Sequence, residues 1–171
     1  AFTGGDYYQV DDLVSMAQTE SIGRVCVTGG EPLAQPACIE LLTQLCDAGL
    51  AVSLETSCAM DIKAVDPRVC TILDLKTPGS KESHRNLWEN LALLKAGDQV
   101  KFVVTDELDY QWVKSLLIEK GLLESSMEIL LSPSYEQLSE KVLAQWILDD
   151  RLPVRMQMQM HKYIWGDVPG V

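Results

Sequence analysis

Strand-like and helix-like patterns alternate along this chain from end to end, and this alternation limits the folds that it can adopt. Short runs rich in β-branched residues predict six strands, and apolar stripes at helical spacing predict the segments between them. The predicted strands cover residues 24–28, 51–55, 71–75, 99–104, 128–131 and 154–160. The predicted helices cover residues 11–23, 36–47, 86–94, 107–120 and 136–148. This order favours an α/β fold with a parallel sheet, either doubly wound or closed into a full or partial (β/α) barrel.

The amino-acid composition indicates which kinds of molecule this chain can bind. The 171 residues hold 14 lysines and arginines against 25 aspartates and glutamates, a net charge of −11, and 47% of the residues are hydrophobic. A chain of this length suits one domain, here residues 1–171, and no apolar run is long enough to cross a bilayer. Excess negative charge disfavours nucleic acid. We therefore expect a small-molecule partner, no nucleic acid and no membrane.

The five cysteines predict reduced, structural thiols. Cys26, Cys38, Cys46, Cys58 and Cys70 are separated by 12, 8, 12 and 12 residues, so the sequence contains no Cys-x-x-Cys ligand pair. Their odd number, without a signal peptide, argues against a secreted disulfide framework and favours the cytoplasm. Cys26 falls in an apolar strand-like run and Cys46 on the apolar stripe of a helix.

Ligands of parallel α/β folds bind at the carboxyl ends of the strands, so polar residues there are the first candidates. The first predicted strand is followed by Thr28, Gly29, Gly30, Glu31 and Pro32. Two glycines let the backbone turn sharply and approach a ligand, and successive N–H groups can cradle a carboxylate. Glu31 can accept from an ammonium, so an amino acid group matches the turn. The alternative is a tight turn with a solvated glutamate.

The next three strands also end in or carry polar side chains. Residues 55–58, Glu-Thr-Ser-Cys, offer hydrogen bonds suited to ribose-like hydroxyls, or else satisfy their own turn. Asp74 and Lys76 lie two residues apart and point the same way, towards a site or into a surface ion pair. Lys101 lies in an apolar strand, and outward snorkelling is slightly favoured over a site contact.

The last predicted strand has one polar and one apolar face. If it is an edge strand, the polar face meets water; if it belongs to a barrel, the polar face lines a cavity suited to a polar heterocycle. His161 at its end is then a candidate ligand contact or acid–base group. The polar face comprises Arg155, Gln157, Gln159 and His161.

Four segments in register resemble one known family. Residues 25–33 resemble the Gly-Gly-Glu-Pro motif of radical S-adenosylmethionine enzymes. Residues 54–57, 73–79 and 157–162 narrow the resemblance to the 7-carboxy-7-deazaguanine synthases of queuosine and 7-deazapurine biosynthesis. The resemblance extends from about Ala1 to Gly170, essentially the whole chain.

The resemblance implies a partial (β/α) barrel and a ring contraction. In this family, 6-carboxy-5,6,7,8-tetrahydropterin becomes 7-carboxy-7-deazaguanine with loss of ammonia. A [4Fe-4S] cluster cleaves S-adenosylmethionine reductively, the resulting radical abstracts a substrate hydrogen, and Mg²⁺ assists. An electron donor such as flavodoxin and a homodimer are also implied.

Site residues carry over position by position. Thr28, Gln159 and His161 are implied to contact the pterin substrate. The S-adenosylmethionine site is implied to comprise Gly29, Gly30, Glu31, Ser57, Asp74, Leu75, Lys76, Ser132, Pro133 and Ser134.

The chain departs from the family pattern in three places. Cys58 replaces a glycine, which we expect to be a tolerated turn change with negative φ. The tail continues ten residues beyond His161, so a substrate contact by the terminal carboxylate is in doubt. The cluster loop is expected just before Ala1-Phe2, and none of the five cysteines replaces it. The magnesium-binding threonine and a first strand with glutamine and glutamate contacts would precede the chain too.

Three alternatives remain open at this stage. The chain is the N-terminally incomplete part of a synthase, or a natural fragment that binds a nucleoside without catalysis. The third alternative is a glycyl-radical activating enzyme of the same superfamily, which would not need His161. We expect the isolated chain to bind little iron and to have no activity by itself.

Overall fold

A computed structural model describes residues 5–166 and 168, and within this part six strands alternate with helices. The opening residues Ala1 and Phe2 and the closing Gly170 lie outside the described residues. The strands are β1 (Arg24–Val27), β2 (Ala51–Ser57), β3 (Cys70–Leu75), β4 (Gln99–Val104), β5 (Glu128–Pro133) and β6 (Arg155–Met156). The α-helices are α1 (Val10–Thr19), α2 (Cys38–Asp47), α3 (Glu107–Glu119), α4 (Glu140–Asp149) and α5 (Met160–Trp165). No described helix is long and apolar enough to cross a membrane.

The strands of the sheet are parallel and lie side by side in sequence order. All five strand pairs are parallel, and the spatial order β1-β2-β3-β4-β5-β6 is also the order along the chain. A doubly wound sheet reverses its strand order at a switch point, and no reversal occurs here. The doubly wound alternative is therefore wrong, and the fold is α/β with the strand order of a partial β/α architecture.

The two faces of the sheet differ in what covers them. We call the face packed against α2, α3 and α4 the outer face; its strand residues, such as Leu54, Leu73 and Phe102, are fully buried in the hydrophobic core. The residues between them form the inner face. Leu130 on that face is also fully buried, yet it belongs to neither core cluster. Part of the inner face is therefore buried without belonging to the helix-packed core.

The helix predicted over residues 86–94 is wrong. The structure has a 3₁₀ helix over Trp88–Leu93. Asn86 and Asn90 are buried because their side-chain amides hold neighbouring loops: Asn86 donates to the carbonyl of Lys76 at 2.9 Å, and Asn90 donates to the carbonyl of Met60 at 2.7 Å. Asparagine side chains that bind backbone outside a helix compete with a regular α-helix.

The strand predicted over residues 154–160 is also wrong beyond its first half. Only Arg155 and Met156 pair as a strand, and helix α5 begins at Met160. The Gln157 N–H still donates to the carbonyl of Leu131 at 2.9 Å. The next bond of a parallel ladder would come from the N–H of residue 133, which is a proline and has none. The ladder therefore ends at Gln157, and His161 lies in a helix.

The helix predicted over residues 136–148 begins later, at Glu140. Glu136 has φ +61°, a left-handed conformation that a helix does not continue. The other helices and strands lie within four residues of their predicted bounds, the largest difference being α1, which ends at Thr19.

A buried carboxylate fixes the loop after β3. Asp109, 1% exposed in the first turn of α3, accepts from the Thr77 hydroxyl at 2.8 Å, the Gly79 N–H at 2.8 Å and the Thr105 hydroxyl at 2.6 Å. A Cβ on Gly79 would lie 2.2 Å from the Thr105 hydroxyl oxygen, so only glycine fits there. The loop that follows Lys76 is thereby tied to α3.

Truncating a side chain on the outer face of β3 should lower the free energy of unfolding more than truncating one on its inner face. Leu73→Ala should lower the free energy of unfolding by about 2–5 kcal/mol, because it opens a cavity in the helix-packed core. Ile72→Ala, on the partly exposed inner face of the same strand, should cost clearly less. Urea unfolding followed by circular dichroism measures both. Equal costs would contradict the assignment of the faces.

Asp109 predicts a pH-dependent contribution to stability. Burial raises the pKa of this carboxyl, but the hydrogen bonds from Thr105, Gly79 and Thr77 outweigh burial and hold the pKa below its ordinary value. The stabilisation is therefore present above the unfolded-state pKa of about 3.9 and is lost as the pH falls through the lower folded-state value.

Asp109→Asn should then cost about 1–3 kcal/mol at pH 7, because an amide oxygen cannot replace all of these acceptor positions. The difference from wild type should shrink below about pH 3.9. Urea titrations at pH 7 and pH 3 measure it, with the exposed Glu119→Gln as the matched control. A difference that does not depend on pH would count against this role.

Candidate functional site

The turn after β1 is held to the end of β2 by one carboxylate. Gly29 and Gly30 both have positive φ, +95° and +58°, as a sharp turn requires. Glu31 accepts from the Thr56 hydroxyl at 2.6 Å, the Ser57 hydroxyl at 2.6 Å, the Ser57 N–H at 2.8 Å and the Leu33 N–H at 3.1 Å. Four donors occupy the roughly four lone-pair positions of a carboxylate. The alternative of a solvated glutamate is wrong: Glu31 joins two strand ends.

The end of β3 lies against the same turn. Lys76 Nζ contacts Asp74 Oδ2 at 2.7 Å, so the ion pair, one of the two alternatives for these side chains, is present. A cavity of about 250 Å³ opens beside them, and its walls include Gly30, Glu31, Ser57 and Lys76. Four of the residues predicted from the sequence therefore surround one cavity, although they come from three separate strand ends.

Two buried oxygens on the inner face have no hydrogen-bond partner within the described ranges. They are Asp74 Oδ1 and Ser132 Oγ. Asp74 is level with Lys101 in the β3–β4 register, and Ser132 is level with Val103 on β4. A buried polar atom without a partner costs about 1–3 kcal/mol, so such atoms mark places where a ligand or water completes the bonding.

The other predicted site residues are not among those that line this cavity. Leu75 is fully buried in the helix-packed core, and Pro133 has the same outer-face register as Val104. Ser134 donates its N–H to the carbonyl of Val104 at 2.8 Å and its hydroxyl to Gln137 at 2.8 Å. The 132–134 turn therefore lies at the end of β5, away from the residues that line the cavity.

The predicted substrate contacts lie at opposite edges of the sheet. Thr28 directly follows β1, is exposed and lines a second cavity of about 310 Å³ together with Gly29. Gln159 and His161 lie after β6, His161 partly buried in α5. Among the described residues, no hydrogen bond joins Thr28 to His161, and the cavity that Thr28 lines does not include His161.

Sequence reasoning missed an ion pair in the middle of the inner face. Lys101 is 8% exposed and its ammonium pairs with Glu55 Oε1, reaching across β3 from β4 to β2. The snorkelling interpretation of Lys101 is therefore wrong. Lys101 is level with Asp74 on β3, and its side chain reaches diagonally to Glu55, which is level with Ile72.

All five cysteines are free, and none belongs to a group of three or more potential metal ligands within residues 5–166 and 168. Cys58 is fully buried and is not among the residues with positive φ, so its expected negative φ is confirmed. Burial raises the pKa of its thiol to about 11, so it is protonated at neutral pH. Cys26 differs from the expectation of an apolar setting, because its side chain is exposed on β1.

Comparisons with known proteins identify the relatives of the chain. A 7-carboxy-7-deazaguanine synthase of Chlorobaculum tepidum is 41% identical over 98% of this chain and 77% of its own length. Synthases of the same name from Koribacter versatilis and Methanospirillum hungatei are 31% and 37% identical over 96% and 94% of this chain, and 79% and 67% of their own lengths. No protein-family model matches the chain.

Each of these relatives aligns along nearly the whole of this chain. The alternative of a glycyl-radical activating enzyme, like that of a noncatalytic fragment, receives no support from them. The chain belongs to the 7-carboxy-7-deazaguanine synthase family.

Proposed function

We propose that this chain forms the core of a radical S-adenosylmethionine lyase of 7-deazapurine biosynthesis. Its reaction contracts the ring of 6-carboxy-5,6,7,8-tetrahydropterin to 7-carboxy-7-deazaguanine and releases ammonia. The observation that carries this proposal is the convergence of Gly30, Glu31, Ser57 and Lys76 on one cavity at the ends of three neighbouring strands. The family named above supplies the identity of the reaction.

The donor set of this cavity fits the methionyl part of S-adenosylmethionine. Gly29 and Gly30 carry no side chains and have positive φ, so an amino acid group could approach their backbone closely. Because Glu31 is already occupied by four donors, it would hold the turn in shape while the backbone and the Asp74–Lys76 pair meet the ligand's charges. Ser132 Oγ and the 132–134 turn would line the remainder of the cofactor.

The cofactor, when bound beside a reduced [4Fe-4S] cluster, supplies the radical chemistry of the superfamily. The described residues do not offer the three cysteine ligands that such a cluster needs, nor a group of ligands for Mg²⁺. We therefore assign to the described residues the binding and orientation of cofactor and substrate, and no ligand of the cluster or of Mg²⁺.

The substrate would lie over the inner face between Thr28 and His161. Burial of Leu130 and Lys101 on a face that carries no core helix supports a sheet curved into a partial (β/α) barrel, with residues 1–171 as a single domain. A homodimer, a flavodoxin-like electron donor and a cytoplasmic location complete the proposal. Free thiols throughout the described part fit a reducing compartment.

Two substitutions separate the cofactor and substrate parts of the site. Ser57→Ala removes a hydroxyl that holds Glu31 and faces the cavity, so it should weaken binding of S-adenosylhomocysteine about three- to tenfold. His161→Ala should weaken binding of carboxy-tetrahydropterin by a similar factor, and by more than it weakens cofactor binding. Isothermal titration calorimetry with each ligand, under anaerobic conditions, measures both.

The control is Ser115→Ala, which removes an exposed hydroxyl that donates to the Gln111 carbonyl of its own helix, α3. It should change neither affinity. A wild-type chain that binds S-adenosylhomocysteine but no pterin would contradict the synthase assignment, and unchanged pterin affinity in His161→Ala would contradict the role of that side chain.

The isolated chain should take up little iron. Thiolates, not thiols, bind iron, and burial raises the pKa of Cys38, Cys46, Cys58 and Cys70. After anaerobic reconstitution with iron and sulfide, iron analysis should give a substoichiometric amount. A stoichiometric [4Fe-4S] electron paramagnetic resonance signal after reduction would contradict this expectation.

A further inference from the structure

Two thiols lie in one row of the inner face, near the amino ends of the strands. Cys26 on β1 is level with Ser53 on β2, and Ser53 is level with Cys70 on β3. Val25 and Val27, the neighbours of Cys26 along β1, pack against the helix-covered core, so Cys26 points to the inner face. A single small side chain therefore separates the two thiols on the same face of the sheet.

A cavity opens over this row. It has a volume of about 390 Å³, and its walls include Cys26, Ser53, Cys70 and Arg24. Cys26 is exposed and Cys70 is partly buried, so an ion in the cavity can reach both. The Ser53 hydroxyl donates to the Val25 carbonyl of β1 at 3.4 Å. A side chain as small as serine leaves room between the thiols that a branched residue would occupy.

The spacing of the two thiols excludes a disulfide between them. Neighbouring strands lie about 4.8 Å apart, so the Cα atoms of Cys26 and Cys70, two strands apart, are separated by about 9.6 Å. Disulfides join Cα atoms at most about 6.8 Å apart, with the two sulfurs about 2 Å from each other. Both cysteines are accordingly free.

The same spacing fits one metal ion between two sulfurs. A thiolate–metal bond of about 2.3 Å, the value for zinc, places the sulfurs of a linear sulfur–metal–sulfur unit about 4.6 Å apart. This is about 2.6 Å more than in a disulfide, so two cysteine side chains holding an ion can join Cα atoms up to about 9.4 Å apart. That limit agrees closely with the separation of about 9.6 Å given by the strand spacing.

A linear pair of thiolates selects a soft monovalent ion. Thiolates are the ligands that favour Cu⁺, which is stable with two of them in a line. Structural Zn²⁺ needs four ligands, and no group of three or more histidines, cysteines or carboxylates that could hold a metal ion occurs in the part of the chain that the structure describes. The pair therefore suits Cu⁺ and does not suit Zn²⁺.

The charges around the pair also favour a cation. Burial, the carboxylate of Asp98 and the thiolate of Cys26 each raise the pKa of Cys70, so two negative sulfurs are disfavoured unless a positive ion lies between them. Two thiolates with one Cu⁺ carry a net charge of minus one. Arg24, which lines the same cavity, brings a positive charge close to that complex.

We propose that Cys26 and Cys70 form a two-coordinate Cu⁺ site near the amino ends of β1 and β3. On binding, each thiol releases its proton to solvent, and two sulfur–copper bonds form without a change of oxidation state. Cys70 also loses the bond that its thiol donates to the Gly97 carbonyl at 3.0 Å, and turns about χ1 towards β2. The strand backbone allows this turn, since two χ1 rotamers are common there.

This site is separate from the cavity of the proposed function. Ser57, which lines that cavity, follows Ser53 on β2 by four residues, a distance of about 13 Å along the strand. The inference therefore does not rest on the proposed function.

The test measures how much Cu⁺ the chain retains in anaerobic equilibrium dialysis against a competing Cu⁺ chelator. Wild type should retain one Cu⁺ per chain. Cys26→Ser and Cys70→Ser should each weaken binding at least about a hundredfold, because the second thiolate no longer binds within the same molecule. Cys46→Ser, which removes a partly buried thiol of α2, is the matched control and should leave the affinity unchanged. Wild-type affinity in Cys26→Ser or in Cys70→Ser overturns the inference.

Two substitutions at Ser53 test whether the ion lies between the sulfurs. Ser53→Val fills the space between them with a residue that strands favour, and should lower Cu⁺ affinity by a similar factor. Ser53→Ala removes the hydroxyl but leaves the space open, so its affinity should equal that of wild type. Circular dichroism during heating checks that both variants fold. Unchanged affinity in Ser53→Val, or lost affinity in folded Ser53→Ala, contradicts the proposed position of the ion.

X-ray absorption at the copper edge identifies the ligands directly. Two sulfur neighbours are expected, and a third ligand overturns the two-coordinate site. Oxidation of the metal-free chain with diamide should give no Cys26–Cys70 disulfide in peptide mass spectrometry, and such a disulfide would contradict the spacing used above. A wild-type chain that retains no Cu⁺ overturns the inference and leaves the proposed function untouched, because binding of S-adenosylhomocysteine is measured separately.

Discussion

The strand order constrains most of what this chain does. When parallel strands follow one another in space as they do in sequence, each right-handed crossover places its helix on the same face. Helices α2, α3 and α4 accordingly bury the outer residues of the strands, and the inner residues have no helix to pack against. An inner face of this kind can hold charges such as Lys101 and Glu55 without disturbing the apolar core. The site and the core thus use alternate residues of the same strands.

Two carboxylates fix the loops at the strand ends that form the candidate site. Glu31 joins the turn after β1 to the end of β2, and Asp109 joins the loop after β3 to α3. Each accepts several hydrogen bonds, and bonds to a charged acceptor are stronger than those between neutral groups. Ser57, which bonds to Glu31, and Lys76, which directly precedes the loop held by Asp109, both line the cavity at the three strand ends. Loop conformation at the site is therefore fixed by groups that need not touch a ligand.

The sequence predicted the fold wherever local patterns decide it. Apolar stripes and β-branched runs placed five of the six strands, since these patterns depend only on neighbours along the chain. Prediction failed where a distant partner decides. The last strand is short because Pro133 on another strand cannot donate to it, and the 86–94 segment is not an α-helix because Asn90 bonds to the loop at Met60. Neither fact is visible within the segment itself.

The candidate site follows the same division. The glycine turn and the Asp74–Lys76 pair are local, and the sequence indicated both, the pair as one of two alternatives. Lys101 was misread because its partner lies 46 residues away, on a strand that is not its neighbour. The overall charge likewise does not show which charged side chains meet in the fold. The net charge of −11 reflects exposed groups, which salt screens over about 8 Å, whereas the inner face carries balanced pairs in a less polar setting. The net charge therefore says nothing about where a charged pair such as Glu55–Lys101 lies in the fold.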